Sequence, residues 1–103
     1  MNFRIKILPT AEYDLRCIYE FFTATVGDIN LANRFHRKLK AAITSLSEMP
    51  FRFALYAKEP WKSRGIRRMS VDNFLVFYLP QNNLQTIEVL RILYGKRKVE
   101  DLL

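Results

Sequence analysis

Lysines and arginines gather in two places along this chain. Lys58, Lys62, Arg64, Arg67 and Arg68 form one cluster, and Arg91, Lys96, Arg97 and Lys98 form the other. Tyr56, Trp61, Tyr78 and Tyr94 lie among them. Cations interleaved with aromatics suit phosphate contact with base stacking. They equally suit recognition of an acidic peptide. The plainer alternative is a solvated basic rim, with Trp61 and Tyr78 as packing residues.

Charge asymmetry supports an acidic partner. The net charge is +7; residues 1–51 hold seven Lys/Arg against five Asp/Glu, and residues 52–103 hold ten against five. A basic half of this kind favours nucleic acid, an acidic protein segment, or both. Other chemistry finds little support. The single histidine, His36, and the single cysteine, Cys17, are far apart and lack metal-ligand spacing, so no metal or other cofactor is expected. No glycine-rich phosphate loop is present. A serine or cysteine nucleophile needs a base held beside it, and His36 reads as a surface residue of a basic helix face. Cys17 reads as a small, partly buried side chain.

At 103 residues, half of them hydrophobic, the chain is expected to form one domain spanning 1–103. The start "MNFRIKILPTAEYD" does not read as a signal peptide, because Arg4 and Lys6 interrupt its short apolar run. No stretch approaches the ~18 apolar residues of a membrane span. A lone cysteine fits a reducing compartment, so a cytoplasmic protein is expected.

The elements that must position the cations follow from periodicity. Residues 2–8 alternate, with Phe3, Ile5 and Ile7 on one face, as in a strand. Pro9 ends it, Thr10 is placed to cap a helix, and Glu12 and Asp14 complement the dipole in the first turn. Ala11, Leu15, Ile18, Phe22 and Val26 then recur at helical spacing up to Gly27, a natural C-cap. Asp28 can cap a second helix, whose stripe is Leu31, Phe35, Leu39, Ala42, Leu46 and Met49 and which Pro50 ends. Residues 51–63 read as a loop with a strand fragment. "GIRRMSV" and "FLVFYLP" read as strands around the turn "DN", and "LQTIEVLRILY" as a last strand central in the sheet. The predicted order is β-α-α-β-β-β, an α+β fold with a helical hairpin packed on a small, mostly antiparallel four-stranded sheet. In such a meander the two cationic clusters could share one edge.

Within that order, "LPTAEYDLRCIYEFF", "ANRFHRKLKAAITSLSEMP", "GIRRMSVDNFLVFY" and "VLRILYGKRKVEDLL" make the chain similar to the ParE/RelE toxin superfamily of bacterial type II toxin–antitoxin systems. The resemblance covers nearly the whole chain except the loop 51–63, and leans toward the ParE-like branch. It implies a toxin held by a cognate antitoxin and associated with plasmid stabilisation. RelE-type members cleave mRNA in the ribosome, whereas ParE-type members inhibit DNA gyrase. Fold does not choose between these, so the site must.

The RelE-like pattern uses lysines and arginines on the sheet and a tyrosine near the C-terminus to activate the 2′-hydroxyl, stabilise the phosphorane-like charge and protonate the leaving oxygen. Carried over residue by residue, it finds Arg68 and Arg97. It finds Leu75 where a strand arginine is wanted and Leu103 where the tyrosine is wanted. Tyr94 stands where some members have histidine, and a phenol needs nearby cations to serve as a base.

Three readings follow. In the first, Lys62, Arg64, Arg67, Arg68, Arg91, Tyr94, Lys96, Arg97 and Lys98 form a contact surface for gyrase or for the antitoxin. The tail Val99–Leu103 then packs on the sheet or the target. The second is a ribosome-dependent mRNA endonuclease with Arg68 and Arg97 on the phosphate and Tyr94 or Lys96 in proton transfer. The third is an inactive basic interaction domain. The toxin readings share an antitoxin with an acidic, amphipathic binding segment.

Overall fold

The computed structural model describes residues 2–96 and 99–103. Strand β1 (Arg4–Ile7) leads into helix α1 (Pro9–Glu20), which passes into a π-helical turn over Phe21–Thr25. Helix α2 (Ile29–Ser45) returns antiparallel, and β2 (Arg67–Val71), β3 (Phe74–Gln81) and β4 (Thr86–Tyr94) complete the sheet. The strand order is β1-β4-β3-β2, with β1 parallel to β4 and the other pairs antiparallel. The α+β order read from periodicity is therefore the observed one, and β4 is central.

Local chemistry explains the helix ends. Gly27 takes a φ of +79°, which stops the π-helical turn. The Asp28 side chain then accepts the Leu31 N–H at 3.0 Å and starts α2. The first helix departs from expectation. Pro9 opens it, its fixed φ suiting the first helical position, and Leu8 occupies the cap without a side-chain bond. Thr10 is not the N-cap: its hydroxyl donates to the Leu90 carbonyl at 2.9 Å.

The sheet is covered on both faces. Ala11 and Leu15 of α1 and Phe35, Leu39 and Ile43 of α2 pack on Met69, Val76, Ile87 and Ile92. Val26 and Met49 do not join this stripe and are about half exposed, because each lies beyond the last regular turn of its helix. On the opposite face Tyr56, Ile66, Phe77, Leu93 and Val99 are buried together, with Trp61, Leu102 and Leu103 against them. The tail thus packs on the sheet face that the helices leave open. Val99–Asp101 forms a short 3-10 turn there.

One irregularity decides which side chain faces which layer. Phe77 of β3 pairs with Arg91, but Tyr78 pairs with Val89, so Leu90 is an extra residue on β4. Such a β-bulge breaks the alternation of the strand. Before it, Ile87 and Val89 face the helices; after it, Ile92 does, while Leu93 joins the tail-side cluster. The bulge carbonyl of Leu90 is the group that Thr10 satisfies.

Candidate functional site

Among the described residues Asp14 is the one buried charged side chain, 7% exposed. Strand β1 leaves β4 after Ile7–Val89, and α1 takes over the uncovered β4 backbone. The Leu8 N–H donates to the Val89 carbonyl at 3.0 Å, and the Ile92 N–H donates to Asp14 Oδ2 at 2.9 Å. Arg91 donates to the same carboxylate from Nε at 2.8 Å and from its second terminal nitrogen at 3.0 Å. Its remaining terminal nitrogen donates to the Leu102 carbonyl at 2.6 Å, which ties the tail to this pair. The bond to Asp14 raises the Arg91 pKa above its usual value. Only Glu12 stands in the first turn of α1; Asp14 lies past it and serves this pair instead of the helix dipole.

The predicted contact residues divide by these interactions. The two clusters do not share an edge, because β3 separates β2 from β4. Arg67 is half-buried and lies on the helix side, donating to the Phe53 carbonyl at 2.6 Å with its guanidinium 5.1 Å from the Phe51 ring centroid. Arg68 is exposed and sits on the tail side, opposite Phe77. Lys62 and Arg64 are exposed in the loop before β2. Lys96 is exposed in the turn after Gly95. Arg97 and Lys98 lie outside the described residues. Lys58 pairs with Glu100 at 3.0 Å, fastening the tail. Their hydrogen bond lowers the Glu100 pKa and raises that of Lys58. Trp61 packs on Tyr56, and Tyr78 is fully buried with its hydroxyl donating to the Pro50 carbonyl at 3.0 Å. Both are packing residues.

Tyr94 faces the helices. It pairs with Phe74, whose ring lies 5.6 Å from its own and which packs against the main core. Arg68 and Tyr94 thus emerge on opposite faces of the sheet. Leu75, in place of the strand arginine, packs into the tail-side cluster together with Leu103.

What Tyr94 lines is a cleft of about 580 Å³ between α1, the π-helical turn and the ends of β3 and β4. Its walls include Cys17, Ile18, Phe21, Phe74 and Ile92. Cys17 is exposed here, not partly buried as its neighbour Ile18 suggested. Phe21–Phe22, Phe22–Phe35, Phe35–Phe74 and Phe74–Tyr94 ring contacts form a continuous aromatic row whose two ends reach solvent. A half-exposed phenylalanine beside a concave apolar wall is suited to gripping a protein. Sequence reasoning missed this cleft, although Cys17 and Phe21, four apart on one helix flank, were a signal for a wider apolar face.

Comparison with known proteins agrees with this geometry. The profile of the family described as "ParE toxin of type II toxin-antitoxin system, parDE" matches residues 5–99. No curated protein sequence matches. Among solved structures, a chain of the chromosomal ParDE toxin–antitoxin system from P. aeruginosa aligns with TM-score 0.74 at 20% identity, covering 91% of this chain and 97% of that one. A chain of the RelBE2 complex from Mycobacterium tuberculosis aligns with TM-score 0.63 at 18% identity, covering 91% and 99%. The isolated E. coli RelE toxin aligns with TM-score 0.62 at 14% identity, covering 98% and 99%. These likenesses establish the ParE/RelE fold. The chain belongs to the ParE toxin family of type II toxin–antitoxin systems.

Proposed function

We propose that this toxin acts by binding and inhibiting DNA gyrase in the cytoplasm, and that a cognate antitoxin with an acidic, amphipathic segment neutralises it. The observation that carries the reading is the placement of Arg68 and Tyr94 on opposite faces of the sheet. General acid–base cleavage needs its groups within hydrogen-bond reach of one substrate. Arg91 is occupied by Asp14 and Leu102, and Leu75 and Leu103 bring only apolar surface. The aromatic cleft, by contrast, suits a protein partner. A role in plasmid stabilisation fits a toxin of this kind.

Purified toxin is expected to block gyrase supercoiling while translation continues. Supercoiling left intact, with new mRNA ends appearing after induction in cells, would overturn the proposal in favour of RNA cleavage.

A further inference from the structure

Helix α2 carries charge of one sign only. Ile29–Ser45 holds Arg34, Arg37, Lys38 and Lys40 and no Asp or Glu. Helix α1, by contrast, holds Glu12, Asp14 and Glu20 against Arg16. All four cations of α2 are exposed. Lys38 has an acidic partner, Asp72 at 2.6 Å, whereas Arg34, Arg37 and Lys40 take part in no ion pair among the described residues. The nearest acids along the chain, Asp28 and Glu48, stand beyond the two helix ends, and Asp28 is engaged by the Leu31 N–H.

Helix stability does not account for this pattern. Like charges three or four residues apart destabilise a helix, and Arg34, Arg37 and Lys40 repeat at that spacing. Cations complement the dipole in the last turn, and the last turn of α2 has none. At 3.6 residues per turn, Asn30 and Ala41 lie on the line opposite the core stripe of Phe35, Leu39 and Ile43. Arg34 and Lys38 flank that line on one side, Arg37 and Lys40 on the other. Arg52 extends the face past the helix end, donating to Ser45 Oγ at 3.2 Å. Among the described residues, no large apolar side chain is exposed between Ile29 and Met49.

A cationic face without an apolar anchor lacks the dry centre on which protein partners depend. Its composition is that of a nucleic-acid interface, where Arg and Lys contact phosphates alongside Asn, Ser and Thr. Shape then selects duplex DNA. Single strands are held by stacking on aromatic rings, and the one phenylalanine of α2, Phe35, is buried. The major groove of an RNA duplex is deep and narrow, whereas that of B-DNA, about 12 Å wide, admits an α-helix. We infer that the outer face of α2 binds the phosphate backbone of duplex DNA. Arg34, Arg37 and Lys40 contact the phosphates, and Asn30 and Ala41 between them are small enough for close approach. Phosphate contacts carry no sequence information, so the binding is independent of sequence. The inference goes beyond the gyrase reading and does not depend on it, because the contact is with DNA itself.

The test is fluorescence anisotropy of the intact chain with a short labelled DNA duplex. Labelled single-stranded DNA, an RNA duplex of the same sequence and polyglutamate serve as separate arms. The DNA duplex is expected to bind tightest, with the logarithm of the affinity falling by about 3 per decade of salt, as three phosphate contacts require. The double variant R34Q/R37Q should weaken binding about tenfold or more and make that slope shallower by about 2, with an unchanged unfolding midpoint. A double variant with the affinity or the salt slope of the parent would overturn the inference. So would a loss that follows K62Q/R68Q instead, or single-stranded DNA, RNA duplex or polyglutamate binding as tightly as the DNA duplex.

Discussion

Asp14 and Arg91, 77 positions apart, meet through two hydrogen bonds, and the same carboxylate also takes the Ile92 N–H. One side chain thereby joins α1 to the central strand beyond its bulge. Removing one member of a buried pair leaves the other charge without a partner. Asp14→Ala is expected to cost about 3–5 kcal/mol in urea unfolding. Replacing both, as in Asp14→Leu with Arg91→Met, should recover most of that loss. Equal losses in the single and double variants would show that the pair contributes nothing specific.

The tail should come loose in acid. Glu100 is held below the usual carboxylate range, first by its bond to Lys58. Its contribution is complete above the ordinary carboxylate value and is lost as pH falls through the lowered one. Trp61 fluorescence should report the release, since Trp61 packs in the tail-side cluster. Glu100→Gln should abolish that acid transition. A transition of the same size in the variant would assign it elsewhere.

An alkaline limit is expected as well. Burial is the leading cause that raises the Tyr56 and Tyr78 phenols above their ordinary value. Each contributes stability that is intact below about pH 10 and falls as pH rises through the raised value. Tyr56→Phe should flatten the loss of stability above about pH 10. Unfolding curves across that range decide it.

Tyr94 separates the two possible activities. Tyr94→Phe keeps the ring on Phe74 and removes only the hydroxyl. A binding toxin should retain growth inhibition within about twofold, whereas loss of an acid–base group typically costs 10²-fold or more. Phe21→Asp should do the opposite, weakening partner binding by placing charge on the wall of the aromatic cleft.

Gly27 and Gly95 are expected to resist alanine for different reasons. At Gly27 a Cβ meets nothing within 4 Å, so the cost is that of the left-handed backbone alone, roughly 1–2 kcal/mol. At Gly95 the Cβ would lie 3.2 Å from the Asn73 carbonyl, whose bond to the Gly95 N–H closes the strand end. Gly95→Ala should therefore perturb the Asn73 region locally, as amide exchange would reveal.

The order of helices and strands was legible because the apolar period changes sharply at Pro9, at Gly27 and again after Gly65. Asp28 was legible as a cap because its role is settled within one helical turn. Asp14 was not. In sequence it reads, with Glu12, as a dipole residue, and its true partners lie on β4. The bulge was hidden too, since Leu90 extends an apolar run that already reads as buried on both faces. Simple alternation from Ile87 would set Tyr94 on the same face as Arg68, and one extra residue moves it to the other layer. The Phe21–Tyr94 cleft depends on that move, so it was equally out of reach.

The β1–β4 pairing also has a consequence for how the molecule comes into being. Arg4 finds its strand partner at Thr86, and the Thr10 hydroxyl waits for a carbonyl 80 positions later. Until that segment leaves the ribosome, only the helical hairpin and the β2–β3 hairpin can form, and neither has its cover. Contacts of such long sequence separation are made late and slowly. The sheet, both of its buried faces and the Tyr94 cleft thus arise together in one closing step. The fold is therefore complete only once Thr86–Tyr94 has been made.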